Sequence, residues 1–176
     1  LALLFPDVSA GTVVTERMAW LPSLGIDLVV QRTEGRRKRL LLADMDSTMI
    51  QQECIDELAD KVGLKAHVAA ITERAMNGEL DFKAALRERV ALLKELPEAT
   101  LQDVYVNHIT LMPGAKTLVA TMKKRGASTH LVSGGFTFFT ERVAQALGFD
   151  TDDANRFEIV DGKLTGKVIE PILGKD

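Results

Sequence analysis

The sequence predicts an α/β fold in which a bundle of helices is inserted after the first strand of a parallel sheet. Residues 40–43 form a short continuous apolar run, the pattern of a strand that is buried on both faces, and residues 128–133 are interpreted as a second buried strand. Helical patterns fill most of the chain between them. The predicted order is a strand, a group of inserted helices, a further helix and a second strand. This order is that of a βαβ unit with a helical insertion.

Length and composition place the chain among globular proteins. Its 176 residues are 46% hydrophobic and 27% charged, with a net charge of -3, so nothing at this level indicates binding to nucleic acid or to a membrane surface. The single cysteine, Cys54, excludes an internal disulfide and favours a reducing compartment. Because no apolar run approaches the length of a membrane span, we expect a cytoplasmic protein. These features carry no signal for the oligomeric state.

The chain divides into three predicted parts. Residues 1–38, with scattered prolines and a basic end, are interpreted as an N-terminal segment and linker. Residues 39–50 and 110–176 are expected to form the α/β core, and residues 51–109 a helical cap. Within this cap, the periodic pattern predicts helices at 52–62, 65–76, 82–96 and 97–108.

The second part of the core contains one further helix before its strand and two elements after it. A helix is predicted over 113–125, where a proline suits the first turn. Residues 134–148 are typical of a turn and a helix, and residues 157–168 of a β-hairpin around Asp161 and Gly162. In open parallel sheets the ligand binds at the carboxyl ends of the strands. Two stretches are expected there, "DMDST" and "SGGF".

Asp44 and Asp46 are spaced two residues apart, so on extended backbone both carboxyl groups face the same side. One carboxylate can attack phosphorus to form an aspartyl-phosphate, while a second acts as general acid and base. Their oxygens also suit Mg²⁺. Ordinary turn and capping chemistry is the alternative, because Thr48 and Gln51 match a capping box. The spacing of the aspartates leaves both interpretations open.

Ser133 and Gly134, with Gly135, are expected at the same edge of the sheet. A hydroxyl and bare backbone amides at the start of a helix bind phosphate oxygens. Glycine pairs also mark ordinary turns, so the weight of the pattern comes from its position opposite the aspartates.

Arg89 lies in the middle of the apolar face of the predicted helix 82–96, about 20° from Phe82. Such an arginine needs an anionic partner or a polar cavity. The structural alternatives are an ion pair or a side chain that extends to the edge of the apolar face, and the functional one is a substrate carboxylate or phosphate. Glu53 lies opposite the apolar residues of its own helix, and geometry alone predicts a solvated glutamate in the first turn. Met76 and Phe82 are interpreted first as core residues.

Three long stretches resemble the phosphoserine phosphatases, a family of the haloacid dehalogenase-like phosphatase superfamily. They are "DMDSTMIQQECIDELA", "ITERAMNGELDFKAALRERVALLKELP" and "LVSGGFTFFTERVAQALGFD". The resemblance covers about residues 39–174 and implies a doubly wound parallel-sheet core with a helical-bundle cap. It also implies hydrolysis of O-phosphoserine with Mg²⁺ through an aspartyl-phosphate, the last step of serine biosynthesis.

The resemblance implies a role for each residue of the core motifs. Asp44 corresponds to the nucleophile and Asp46 to the general acid and base. Mg²⁺ would be held by the Asp44 carboxylate and the backbone carbonyl of Asp46. Ser133 and Gly134 correspond to the second phosphate-binding motif.

In the cap, the resemblance implies a set of residues that bind the serine part of the substrate. Glu53 corresponds to the residue that meets the ammonium group and Arg89 to the one that meets the carboxylate. Met76 and Phe82 correspond to the apolar lining. The resemblance therefore agrees with helix geometry about Arg89 and disagrees with it about Glu53.

The chain departs from the family pattern after "EPILGKD". The family has a further lysine and a metal-binding aspartate, for which Lys175 and Asp176 are poor substitutes. We therefore expect a core that is incomplete at its C-terminal end, with the third metal ligand missing. Two alternatives to the hydrolase remain: a phosphotransferase to a small alcohol such as homoserine, and a catalytically incomplete fragment that binds phosphoserine.

Overall fold

The computed structural model describes residues 24–25 and 34–174, apart from the side chain of Met76. The chain separates into two compact units, Leu1–Lys38 and Arg39–Asp176. Most of the predicted N-terminal segment 1–38 lies outside the described residues, as do Lys175 and Asp176. Residues 34–38 of the first unit are exposed, as expected for a polar linker.

A three-stranded parallel sheet forms the centre of the second unit. Its strands lie in the order β1 (Leu40–Ala43), β2 (Ser128–Phe136) and β3 (Thr151–Asn155). In their register, β1 starts opposite the first residue of β2, and β3 starts opposite His130. The α/β fold class and the positions of the two predicted strands are confirmed. The predicted burial of β1 on both faces is wrong for the described residues, because Leu40 and Leu42 are exposed.

The third strand was not predicted, because its sequence TDDAN has one apolar side chain and two aspartates. Such residues are depleted in strands. Tertiary hydrogen bonds stabilise them here: the hydroxyl of the completely buried Thr140 donates to Asp152 Oδ2 at 2.6 Å. The pattern of hydrophobic residues along the sequence does not predict such hydrogen-bond partners.

Two helices, α5 (Ala115–Lys124) and α6 (Thr137–Leu147), contact each other and β2. Right-handed crossovers between successive parallel strands place both helices on the same face of the sheet. That face is buried around Leu131. On the opposite face Leu40 is 55% and Leu42 63% exposed, so the described part of the chain leaves apolar surface there uncovered.

The four helices predicted between β1 and α5 are observed. They are α1 (Cys54–Lys61), α2 (Lys65–Met76), α3 (Phe82–Ala91) and α4 (Glu98–Asn107). The division of this unit into a core and a cap stays a prediction. Among the helices that the structure describes, none combines the length and apolar character that crossing a membrane requires.

Two helix boundaries differ from the prediction. The alternative that Thr48 and Gln51 form a capping box at the start of a helix is wrong, because α1 begins at Cys54. The Cys54 N–H donates instead to the Asp46 carboxylate. Helix α3 ends at Ala91 rather than at Leu96, because the backbone beyond it pairs with a strand. The Glu95 N–H donates to the Leu164 carbonyl, and the Leu164 N–H donates to the Leu96 carbonyl.

The predicted β-hairpin is confirmed as β4 (Phe157–Val160) and β5 (Lys163–Val168). Asp161 and Gly162 have φ of 49° and 73°, the positive values that a tight two-residue turn requires. Strand β5 also packs closely against the end of α3. A Cβ on Gly166 would lie 3.0 Å from Lys94 Cβ and 3.3 Å from the Ala91 carbonyl oxygen.

We expect Gly166→Ala to destabilise the protein more than Gly162→Ala. Both glycines have positive φ, so alanine costs about 1–2 kcal/mol of backbone strain at either position. A Cβ at Gly162 meets no atom within 4 Å, whereas one at Gly166 meets α3. The contact should lower the free energy of unfolding by a further ~1–3 kcal/mol, measured by urea denaturation. Equal decreases in the free energy of unfolding for the two variants would show that β5 does not pack tightly against the end of α3.

Candidate active site

One cavity of about 270 Å³ lies where β1 and β2 end and the helices of the predicted cap cover them. All predicted site residues whose side chains are described line this cavity, and the Met76 side chain lies outside the described residues. The lining consists of Asp44, Asp46, Glu53, Cys54, Ile55, Phe82, Leu86, Arg89, Ser133, Gly134, Gly135 and Phe136.

Asp44 and Asp46 reach the cavity together because Met45 between them is completely buried. Met45 therefore packs into the core just after β1, while the carboxyl groups on either side of it line the cavity. Asp44 Oδ1 accepts from the Met45 N–H at 2.7 Å. Its other oxygen has no hydrogen-bond partner among the described residues and is available to a ligand.

Asp46 has a different environment from Asp44. Its Oδ1 accepts from the Cys54 N–H at 3.1 Å, which ties the aspartate motif to the start of α1. Burial raises the pKa of Asp46 to about 6; hydrogen bonds from Cys54 oppose this shift, and the charges of Glu53 and Asp44 add to it. A carboxyl group with this pKa exchanges protons near neutral pH.

Glu53 lines the cavity and is exposed, so the solvated side chain predicted by helix geometry is observed, whereas its predicted position in the first turn is wrong. The residue occupies the N-cap position of α1 with extended backbone, φ -98° and ψ 111°, so the angular rule for helical residues does not apply to it. The Ser47 hydroxyl donates to Glu53 Oε1 at 2.6 Å. Ser47 has a φ of 51°, unusual for a residue other than glycine, and this turn brings its hydroxyl to the glutamate.

Gly134 and Gly135 belong to β2, and the predicted helix start at these residues is wrong. A register shift between Val132 and Phe136 lets β2 continue, and α6 begins at Thr137. The amides of the motif are therefore presented by a strand end. The Gly135 N–H donates to the Oγ of the buried Ser133 at 2.9 Å, which leaves the hydroxyl hydrogen of Ser133 for another acceptor.

Both glycines lie against parts of the site that come from other segments. A Cβ on Gly134 would lie 2.9 Å from Phe82 Cζ, at the start of α3. A Cβ on Gly135 would lie 3.0 Å from Asp46 Oδ2. The absence of side chains therefore allows Phe82 and Asp46 to close on β2.

Arg89 projects into the cavity from α3 and is half-buried. Its Nε donates to the Ala85 carbonyl at 3.3 Å, and its Nη1 lies 3.5 Å from Thr72 Oγ1. Within residues 34–174, no carboxylate forms an ion pair with it, so the alternative of a structural ion pair is not observed there. Burial lowers its pKa, and nearby carboxylates including Asp56 and Glu53 oppose that shift.

Several lining residues were not predicted as site residues. Cys54, Ile55 and Leu86 have the apolar periodicity of core residues and also form the cavity wall. Gly135 directly follows the predicted residues Ser133 and Gly134, and this neighbouring position is the sequence feature that could have identified it as a site residue. Phe136 is buried at the end of β2, and its ring stacks on that of Phe157 with 3.6 Å between the ring centroids. No local pattern predicts this contact.

The oxygen ligands at this site suit a hard cation. Asp44 and Asp46 offer carboxylates, although the described residues contain no group of three or more His, Cys, Asp or Glu placed to hold a metal ion. Mg²⁺ is commonly bound by one or two carboxylates, with phosphate oxygens and water completing the shell. The pair therefore fits Mg²⁺ on the open side of Asp44.

Comparison with known proteins identifies relatives of this chain. The family model of haloacid dehalogenase-like hydrolases matches residues 41–176. Phosphoserine phosphatases from Polaromonas sp. and Archaeoglobus fulgidus are 51% and 48% identical over 87% and 82% of the chain. The chain spans 65% and 42% of their respective lengths.

The fold also matches a solved structure described as a phospho-aspartyl intermediate analogue of phosphoserine phosphatase. The two share 41% sequence identity with a TM-score of 0.70. The match covers 76% of this chain and 63% of the solved one.

We expect Asp46→Asn to stabilise the protein at pH 8 without divalent cations. A carboxyl group whose pKa rises from 3.8 to about 6 on folding stabilises the fold while protonated, and this contribution is lost as the pH rises through about 6. The amide stays neutral, so the variant should gain about 3 kcal/mol at pH 8 and nothing below about pH 4.

Urea denaturation across this pH range measures the difference. Asp103→Asn is the control, because the Lys61 hydrogen bond lowers the pKa of this partly exposed aspartate, and its replacement should bring no gain at pH 8. A gain for Asp46→Asn that is independent of pH would contradict the assignment.

Proposed function

Since this chain belongs to the haloacid dehalogenase-like hydrolase family, we propose that the intact protein hydrolyses O-phosphoserine to serine and inorganic phosphate. One observation carries the proposal: a single small cavity brings together the aspartate pair, Ser133 near the end of β2 and the guanidinium of Arg89. These groups suit the two ends of a phosphorylated amino acid. The names of the relatives support the same substrate.

At the phosphoryl end, Asp44 is the nucleophile and Asp46 the general acid and base. The uncommitted oxygen of Asp44 attacks phosphorus, the ester bond breaks, and the departing serine oxygen takes the proton of Asp46. Asp46 then removes a proton from the water that hydrolyses the aspartyl-phosphate. The pKa of about 6 suits a group that both gives and takes a proton. The solved phospho-aspartyl relative supports this route.

The phosphoryl oxygens are bound by Ser133 and the glycines near the end of β2. Ser133 keeps its hydroxyl hydrogen for an acceptor, because its oxygen is already engaged by the Gly135 N–H. Gly134 lines the same cavity, and Phe82 occupies the space that a side chain at this position would need.

At the serine end, Arg89 binds the carboxylate and Glu53 the ammonium group. Arg89 has no ion pair in the described part of the chain, so its charge is available to a ligand. Ser47 holds one oxygen of Glu53 and leaves the other for the substrate. Phe82 forms the apolar side, and we assign the Met76 side chain to the same side on the resemblance alone.

Mg²⁺ is the proposed cofactor, held by the Asp44 carboxylate and the backbone carbonyl of Asp46. When bound, it neutralises charge between the carboxylates and the phosphoryl group. We place the protein in the cytoplasm, at the last step of serine biosynthesis. The single cysteine supports a reducing compartment, and the biosynthetic step follows from the proposed substrate.

We expect Asp44→Asn to reduce phosphate release from O-phosphoserine by at least about 10³-fold, because an amide is not a nucleophile at phosphorus. Colorimetric phosphate release and detection of serine measure the reaction. Asp60→Asn is the matched control, since Asp60 is exposed on α1 away from the cavity lining. Activity within tenfold of the wild-type level would remove Asp44 from the nucleophile role.

We expect Arg89→Ala to weaken selection for a substrate carboxylate. Loss of a charged hydrogen-bond pair should lower kcat/KM for O-phosphoserine roughly 10- to 150-fold. Phosphoethanolamine lacks the carboxylate, so its kcat/KM should change little. Arg87→Ala is the control, because Arg87 on the same helix is exposed and paired with Glu170 at 2.7 Å. Equal losses for both substrates would refute carboxylate binding by Arg89.

A further inference from the structure

Asn155 is a buried polar residue that the proposed chemistry does not use. It ends β3 and is 2% exposed. Its Nδ2 donates to the Gly134 carbonyl at 2.9 Å and, at 3.4 Å, to the Leu173 carbonyl. Its Oδ1 accepts from the Leu173 N–H at 2.7 Å. The side-chain amide therefore hydrogen-bonds to the backbone of two segments, and one of them is the end of β2 that contains the proposed phosphate-binding residues.

The bond to the Gly134 carbonyl fixes the orientation of one peptide plane. In a trans peptide the carbonyl and the following N–H point in opposite directions. Because the Gly134 carbonyl faces Asn155, the Gly135 N–H faces the other way, where Ser133 Oγ accepts it at 2.9 Å. Two successive glycines have the greatest backbone freedom, so an external partner is what holds this plane.

The orientation of that plane decides what the cavity presents to a ligand. As long as Ser133 Oγ accepts from Gly135, its hydrogen is directed to another acceptor. The same peptide lies beside Asp46, since a Cβ on Gly135 would be 3.0 Å from Asp46 Oδ2. A rotated peptide would redirect the serine donor and change the surroundings of the proposed general acid.

We propose that Asn155 is a positioning residue, whose side-chain amide holds the Gly134–Gly135 peptide so that Ser133 presents its hydroxyl to a phosphoryl group. Asn155 does not touch the substrate. The inference rests on the proposed function for its phosphate ligand. It adds a residue from a strand that the sequence pattern did not predict.

The test compares Asn155→Asp with wild type in the intact protein. Aspartate keeps the acceptor for the Leu173 N–H and, at pH 8, removes the donor to the Gly134 carbonyl. Calorimetric titration with inorganic phosphate should show affinity lowered at least about tenfold, and KM for O-phosphoserine should rise by a similar factor. The amide resonance of Gly135 should shift in the ¹H–¹⁵N spectrum.

Asn107→Asp is the matched control, because Asn107 is exposed and bonds Asp103 away from the cavity. It should leave phosphate affinity and the Gly135 resonance unchanged. Asn155→Ser provides a second, uncharged variant that is judged by the same readouts. In the wild-type protein, phosphate should also perturb both the Gly135 resonance and the side-chain amide resonance of Asn155.

A lower melting temperature with unchanged phosphate affinity and an unchanged Gly135 resonance would overturn the positioning role and leave a structural one. No response of Asn155 and Gly135 to phosphate in the wild type would overturn it without any variant. If the wild type binds phosphate but does not hydrolyse O-phosphoserine, the proposed function fails. In that case phosphate affinity and the Gly135 resonance still decide the role of Asn155.

Discussion

The hydrogen bond from the Cys54 N–H to Asp46 is the interaction on which the geometry of the site depends. It joins the loop after β1 to the start of α1, so it fixes the covering helices relative to the strand ends. The same carboxyl group lies against Gly135, and its burial raises its pKa to about 6. One side chain therefore links three segments, and the packing that links them also sets its proton affinity.

Close packing limits what this site accepts. Phe82 lies against Gly134 and Asp46 against Gly135, in each case at a distance that excludes a side chain. The resulting cavity of about 270 Å³ is smaller than the ~300–1,000 Å³ typical of pockets for drug-sized ligands. A phosphorylated amino acid, the proposed substrate, is of suitable size for this cavity.

Local patterns predicted the parts of this protein that local physics determines. Apolar runs predicted β1 and β2, helical periodicity predicted the four helices, and the Asp161-Gly162 pair predicted the hairpin. The angle of Arg89 on its helix predicted a polar or anionic partner without deciding which, and in the structure its side chain lines the cavity. Local patterns failed where contacts between distant segments determine the structure. Hydrogen bonds between Leu164 and the backbone of Glu95 and Leu96 replace the predicted end of α3, and tertiary hydrogen bonds stabilise the polar strand β3.

Glu53 shows the limit most clearly, because helix periodicity describes only residues inside a helix and Glu53 lies one residue before α1. The resemblance to a known family assigned it to the site, and the structure places it in the cavity wall. Comparison between sequences thus carries information about caps and turns that periodicity lacks.

The charges around the cavity place a condition on the proposed reaction. Among the described lining residues, Asp44, Asp46 and Glu53 face one guanidinium, and a phosphate monoester brings nearly two more negative charges. At 4 Å, each unit repulsion costs about 4 kcal/mol at an effective dielectric constant of 20. Protonation of Asp46 removes one of these charges, and a cation beside Asp44 offsets others. The proposed acid and the proposed Mg²⁺ are therefore coupled, because each lowers the electrostatic cost of bringing phosphate to Asp44.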